Sequence, residues 1–332
     1  MKKYTTDGKV QMFSAEEEIN VKLGNIIGEK FREYRLLWDR VNNLETVTDF
    51  PLFLHYDVNQ VCNFRCPQCI IGTPGAVDKY YSGSSLSKEL FFKSIDEAAQ
   101  YNCPSVSVQG NNEPLMIPDL EEYITYCSSR GFMDIMFNTN ASLLTEERSR
   151  RLLDTGVTRL RFSLDAVTEK TYNKIRVGGD FQHVYSNILR FLELKKSGGY
   201  QLPVTGVSFV LQKDNFDELD EFIRFWSPLV DLVTVQRFLP PTPDGNHSDF
   251  FPPSSKYDNI SVDNFKCVQP FQRLVIRNQE ITPCCTMYST KLSLGKYPEI
   301  SLHQAWHSKA MNELREIHRA GHYHKNPICN SC

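Results

Sequence analysis

The sequence has no apolar run approaching the ~20 residues that cross a bilayer; stretches such as Pro51–Leu54 end after a few residues. A membrane-spanning helix is therefore not expected. The opening Met1-Lys2-Lys3-Tyr4-Thr5-Thr6-Asp7 lacks the apolar core of a signal peptide, which makes the cytoplasm the expected compartment. Basic excess is missing too. The 37 Lys and Arg residues face 40 Asp and Glu, a formal charge of −3, so a nucleic-acid partner is not expected. No internal repeat is visible. With 41% apolar and 23% charged residues the chain has the profile of a folded protein. Its 332 residues leave room for one large domain with a small appendage, or for two ordinary domains.

Cysteine is abundant: the chain has ten. In a reducing compartment clustered cysteines point to metal binding or catalysis rather than to disulfides. Cys62, Cys66 and Cys69 lie together, Cys329 and Cys332 end the sequence, and Cys267, Cys284 and Cys285 fall between. Cys127 sits on an apolar helical face, as a core cysteine does, and Cys103 has no assigned role.

Residues 16–45 read as a charged helical extension, and 1–49 as the region before the core. From Leu52 a regular rhythm begins. Strands are expected at Leu52–Val58, Ser105–Gln109, Asp134–Asn138, Arg159–Leu164, Val204–Leu211 and Leu232–Phe238. Helices separate them, with Ser87 and Thr145 as N-caps and Gly131 and Gly156 as stops. Six strands alternating with five helices predict right-handed crossovers and a parallel sheet. A Rossmann sheet and an incomplete barrel both fit that count. Residues 240–256 are proline-rich and read as a linker. Residues 257–332 read as a small α+β appendage: a hairpin of Arg273–Ile276 with Glu280–Pro283, then one amphipathic helix around Trp306–Arg319, with too few elements to bury more than a thin core.

Cys62-Asn-Phe-Arg-Cys66-Pro-Gln-Cys69 follows the first core strand. In a parallel α/β fold chemistry gathers at that end of the strands. Three thiolates do not complete a zinc tetrahedron, but on a cubane they leave one iron open to a small molecule. Zinc completed by His55 is the alternative.

The C-x3-C-x2-C loop resembles the signature of the radical S-adenosylmethionine (SAM) superfamily. That resemblance implies a partial (β/α)6 TIM-like barrel over about residues 50–239, with a 4Fe–4S cluster on Cys62, Cys66 and Cys69. It also implies that SAM is cleaved reductively to a 5′-deoxyadenosyl radical, with flavodoxin or ferredoxin as electron donor. Gln109-Gly-Asn-Asn-Glu113-Pro stands where the family has a Gly-Gly-Glu-Pro stretch, which assigns Gly110 and Glu113 to the SAM amino group. Phe162-Ser-Leu-Asp-Ala166 resembles the fourth-strand motif, so Ser163 contacts SAM, and Tyr172-Asn-Lys-Ile-Arg176 places Arg176 at the SAM carboxylate. Asn138 and Val210 are candidates for the adenosine. Gln68 departs from the aromatic or apolar residue that often precedes the third cysteine.

The last cysteines resemble the short twitch form of the SPASM appendage. This implies a second, auxiliary 4Fe–4S cluster on Cys267, Cys285, Cys329 and Cys332. Cys284 is then a free thiol, able to return a hydrogen atom in an epimerisation. Zinc is the alternative here as well, since Cys329-Asn-Ser-Cys332 follows His318, His322 and His324, which otherwise read as exposed. The spacing is similar to that of dehydrogenases that oxidise an alcohol of aminoglycoside precursors. The Phe31–Trp38 phrase resembles SPASM-type proteins associated with polysaccharides and secondary metabolites. Together these imply oxidation or epimerisation at a carbinol carbon of a carbohydrate-like small molecule. A peptide-maturing radical enzyme is the alternative, and a zinc-stabilised binding protein is the non-enzymatic one.

Overall fold

The computed structural model describes residues 11–13, 16–80, 85–242, 246–253 and 266–330. Among the described residues ten strands form one sheet: β1 (Gln11–Phe13), β2 (Phe53–Asp57), β3 (Ser105–Ser107), β4 (Asp134–Thr139), β5 (Arg159–Ser163), β6 (Val204–Leu211), β7 (Leu232–Arg237), β8 (Arg273–Arg277), β9 (Glu280–Thr282) and β10 (Gly295–Lys296). Their order is β1-β7-β6-β5-β4-β3-β2-β8-β9-β10. From β2 to β7 every neighbouring pair is parallel and in sequence order. A doubly wound sheet reverses its strand order at a switch point; this one does not. The α/β fold is thus of the incomplete-barrel kind.

The helices are α1 (Glu16–Ile27), α2 (Glu29–Asn42), α3 (Ala76–Tyr80), α4 (Lys88–Gln100), α5 (Leu120–Ser129), α6 (Glu146–Leu153), α7 (Glu169–Ile175), α8 (Phe181–Ser197), α9 (Leu219–Trp226), α10 (Gln269–Gln272), α11 (Leu302–Trp306), α12 (Lys309–Arg319) and α13 (Pro327–Asn330). The Ser87 side chain accepts from Leu90 N and Thr145 from Arg148 N, caps that stabilise a helix by about 1 kcal/mol each. Gly131 and Gly156 take φ of +90° and +87°, the left-handed geometry that ends a helix cheaply only at glycine.

Alternation along the strands divides the sheet. Leu54, Tyr56, Val106, Ile135, Phe137, Leu160, Phe162, Val207, Phe209 and Val235 pack with the crossover helices in the main core. The residues between them on each strand face the other way, into the barrel.

Three expectations need correction. The N-terminal region is more than helical: β1 pairs antiparallel with β7, and α1 and α2 form a second apolar cluster with Leu52, Val204, Leu232 and Phe271. The expected single helix around Trp306–Arg319 is two, because Ser308 caps α12 by accepting from Met311 N and breaks the run after Trp306. The C-terminal region has no separate thin core. β8 pairs in parallel with β2, Phe53 opposite Arg273 through Asp57 opposite Arg277, and Leu302, Ala305, Trp306 and Met311 join the main core. Both edges of the six parallel strands are therefore covered, by β1 on one side and β8 on the other, and the sheet ends on the short strands β1 and β10.

Candidate active site

Cys62, Cys66 and Cys69 occupy the loop leaving the C-terminal end of β2. The loop is closed by its own backbone, with Cys69 N donating to Cys66 O at 2.9 Å and Gly72 N to Cys69 O at 3.0 Å. A Cβ at Gly72 would overlap the Cys66 carbonyl, so the turn requires glycine. Phe64 N donates to Cys62 Sγ at 3.4 Å, and Asn140 Nδ2 lies 3.9 Å from the same sulfur. Burial pushes the Cys66 thiol up to about 11 and raises Cys62 and Cys69 as well. Thiolates here need a neighbouring positive charge, which bound iron provides.

The donor set fits a cluster better than a single ion. Among the described residues, the three sulfurs are not gathered within 4.8 Å of one another, and His55 does not join them. A zinc–thiolate tetrahedron has edges of about 3.8 Å.

The parallel register brings the expected SAM contacts to the same rim. Gly110 and Glu113 follow β3, Asn138 and Ser163 lie near the ends of β4 and β5, and Val210 is on β6, in register with Gln236 of β7. A Cβ at Gly110 would overlap the Asp57 carboxylate, whose Oδ1 accepts from Asn111 N at 2.8 Å. Glu113 is buried, and protein donors take both its oxygens: Thr139 Oγ1 at 2.6 Å, Asn140 N at 2.7 Å and Leu115 N at 3.0 Å. It ties the exit of β4 to the turn after β3. Arg176, after α7, places Nη2 2.7 Å from Asp165 Oδ2. Burial opposes its charge, but Asp165, Cys66 and Tyr172 outweigh that and hold its pKa above the usual value. Asp165 has φ +65° and accepts from Val210 N at 2.7 Å, backbone strain of the sort stored at functional sites. Asn138 Oδ1, Gln68 Oε1 and Thr234 Oγ1 are buried without a protein hydrogen-bond partner, the condition of groups that meet a polar ligand.

Among the described residues, the segment carrying Cys329 returns to this rim. Cys285 N donates to Gln269 Oε1 at 2.9 Å, and Cys329 N to Asn326 Oδ1 at 3.2 Å. Ile328 of α13 packs with Ile70, Ala76 and Tyr80, just beyond the first cysteine loop. Cys284 is buried, its Sγ 3.7 Å from Thr286 Oγ1. Cys332 lies outside the described residues. His318 was expected at the surface but is 2% exposed. Its Nδ1 accepts from Cys267 N at 3.3 Å, and burial lowers its pKa to about 4, so the ring is neutral.

Sequence reasoning missed several residues: Asp57, Asn140, Asp165 and Arg277. Asp57 had a signal, an acidic residue closing an otherwise apolar alternation directly before the cysteine loop. Arg277 had none, because its importance depends on where β8 docks.

Residues 56–225 match the radical SAM superfamily. The chain belongs to that family. Residues 267–332 match the SPASM iron–sulfur cluster-binding domain. SAM and 4Fe–4S clusters are the cofactors of this radical SAM protein. It is 27% identical over 197 residues to the tungsten-containing aldehyde ferredoxin oxidoreductase cofactor-modifying protein of Pyrococcus furiosus, covering 58% of this chain and 53% of that protein. It is 28% identical over 173 residues to the GTP 3′,8-cyclase of Clostridium botulinum, covering 52% and 51%. The chain thus spans about half the length of these relatives. Among solved structures, BtrN in complex with AdoMet and 2-DOIA has a TM-score of 0.53 at 17% identity, over 85% of this chain and 92% of that one. Streptococcus suis SuiB bound to precursor peptide SuiA has 0.63 at 14%, over 86% and 70%. At such identities the likeness is one of fold. No helix among the described residues is long and apolar enough to cross a membrane.

Proposed function

We propose that this radical SAM protein cleaves SAM reductively and oxidises or epimerises a carbinol carbon of a small, sugar-like molecule. When bound, the cofactors supply a 5′-deoxyadenosyl radical and a route for one electron, with flavodoxin or ferredoxin as the external donor. In this reading Cys62, Cys66 and Cys69 hold the SAM-binding cluster. Gly110, Glu113, Asn138, Ser163, Arg176 and Val210 surround SAM, and Cys267, Cys285, Cys329 and Cys332 hold the auxiliary cluster.

One observation carries the substrate class: beyond the apolar cluster that Val204 and Leu232 form with α1 and α2, the inward face of the sheet carries several polar side chains. By alternation it presents His55 on β2, Ser107 on β3, Asn138 on β4, Arg161 and Ser163 on β5, Ser208 on β6 and Gln236 on β7, with Met136 and Val210 among them. A closed barrel packs that face with bulky branched side chains. Small polar groups instead leave hydrogen-bonding room, which favours a hydroxyl-rich substrate. Burial, with Arg273 and Arg277 nearby, lowers the His55 pKa to about 3, so its ring is neutral and can accept a hydrogen bond from a substrate hydroxyl. Positioning the target C–H bond and excluding water are then the protein's main tasks. In an epimerisation Cys284 would return the hydrogen atom.

The peptide-maturing alternative draws on the fold likeness to SuiB, whose structure holds a precursor peptide. Anaerobic incubation with SAM, dithionite and a panel of deuterated polyols and aminocyclitols separates the readings. Deuterium in 5′-deoxyadenosine with a product two hydrogens lighter means oxidation. Deuterium in 5′-deoxyadenosine with a product that carries a solvent hydrogen in place of the abstracted deuterium means epimerisation. Stimulation of 5′-deoxyadenosine by peptides alone would overturn the small-molecule reading.

A further inference from the structure

A separate group of ligating side chains lies outside the barrel, where the chain approaches β2. Asp49 meets His303 of α11 and His307, the C-cap of that helix. The two imidazoles are four residues apart and so share one helical face. His303 Nε2 is 3.4 Å from Asp49 Oδ1, and His307 Nε2 is 3.5 Å from the same oxygen. All three ligand atoms lie within 4.8 Å of one another. A tetrahedral zinc with nitrogen and oxygen bonds of about 2.0–2.2 Å has ligand-to-ligand edges of about 3.3–3.6 Å. Both edges from Asp49 already have that length.

The rings are held in place by their surroundings. His303 stacks on Tyr101 at 4.7 Å and 10°, Tyr101 stacks on Phe50 at 4.8 Å and 3°, and His307 packs on His303 at 4.5 Å. His303 N donates to Glu97 Oε1 of α4 at 3.0 Å. Trp306 Nε1 donates to Thr48 O at 2.7 Å, fixing the segment that carries Asp49. Such support from packing and outer hydrogen bonds is what a metal site needs.

We propose that Asp49, His303 and His307 bind a zinc ion, with water completing the tetrahedron, and that the ion staples the C-terminal region to the entry of the first barrel strand. Two imidazoles and one carboxylate suit borderline zinc, and none of the cysteines takes part. Loading exchanges the 2.8 Å hydrogen bond between His307 Nε2 and the Asp49 carbonyl for a metal bond. The ion would add stability only to the docked arrangement, since the three ligands come together only there.

The test uses holoprotein whose cysteine sites are already loaded anaerobically, equilibrated with buffered zinc and desalted. Zinc and iron are then measured by plasma mass spectrometry. The expected result is one zinc per chain with iron unchanged, and a zinc-dependent rise in unfolding temperature. Even an outer-shell partner of a metal site is worth about tenfold to a hundredfold in affinity, so His303→Gln and His307→Gln should each weaken zinc binding by more than about tenfold. Asp49, 77% exposed, provides a variant that does not threaten folding, and Asp49→Asn should also lower the affinity. A wild type that takes up no zinc, or equal uptake by wild type, Asp49→Asn and the double histidine variant, overturns the proposal and leaves an ordinary histidine–aspartate pair.

Discussion

Arg277 reaches Asp57 across the seam between β8 and β2, with Nε 3.3 Å from Oδ2 and the two residues paired in register. Each partner is committed on its far side to a loop of the site. Asp57 Oδ1 accepts from Asn111 N, next to Gly110. Arg277 donates to Cys285 O and Thr286 O at 2.6 Å each, and to Ser289 Oγ at 3.0 Å. One buried ion pair thus joins the glycine stretch beside the first cysteine loop to the backbone at Cys285 and Thr286.

Asp57→Ala leaves Arg277 buried without its countercharge, a change that costs about 3–5 kcal/mol. Asp57→Asn keeps an acceptor for Asn111 N and should cost less. Anaerobic urea unfolding of the cluster-loaded protein reads both. We expect Asp57→Ala to lower the auxiliary iron content as well, because the Cys285 carbonyl loses its anchor. Equal midpoints for Asp57→Ala and wild type would refute the coupling.

The two cysteine groups should separate in function. Cys62→Ala, Cys66→Ala or Cys69→Ala should abolish 5′-deoxyadenosine formation, since each removes a proposed ligand of the SAM-binding cluster. Cys285→Ala should spare part of that cleavage while uncoupling it from product. Cys284→Ala should leave the total iron intact. Loss of half the iron in Cys284→Ala would instead make Cys284 the ligand and Cys285 the free thiol.

Gly110→Ala should be far more harmful than a surface glycine change. The added methyl meets the Asp57 carboxylate, which Arg277 and Asn111 hold in place. Overpacking a rigid site costs about 1–3 kcal/mol. Displacement of the stretch should weaken SAM binding by more than about tenfold, the effect of about 1.4 kcal/mol. Equilibrium dialysis with labelled SAM measures it, and unchanged affinity would place SAM elsewhere.

His55 makes a pH prediction. Its pKa is depressed from 6.5 to about 3 in the folded chain, so the unfolded state binds the proton more readily. The stability linked to this ring is complete above pH 6.5 and is lost as pH falls from there towards 3. Because His55 is only half-buried, lumen water trims the effect to about 1–2 kcal/mol at pH 5. The stability difference between wild type and His55→Gln should therefore shrink by that amount between pH 7 and pH 5. A constant difference would mean that the ring is solvated.

The six core strands were legible because each pairs an alternating apolar face with a glycine, proline or cap nearby, and local chemistry decides such signals. The break between α11 and α12 was legible in principle, since Ser308 is a capping residue, but the apolar spacing through Trp306 and Met311 concealed it. His318 was read as exposed because a polar residue near the end of a helix usually is. It is buried because α12 docks against the segment carrying Cys267.

The Cys62-x3-Cys66-x2-Cys69 spacing after a strand carried the family resemblance that implied the class of chemistry, while the thiol count by itself left a zinc site completed by His55 open. Only the tertiary structure decided that β8 lies beside β2, that Asp57 meets Arg277, and that Asp49 meets two histidines more than 250 residues away. Those contacts depend on which edge of the barrel the C-terminal strand closes. No local pattern encodes that choice, since any exposed parallel edge offers the same backbone hydrogen bonds.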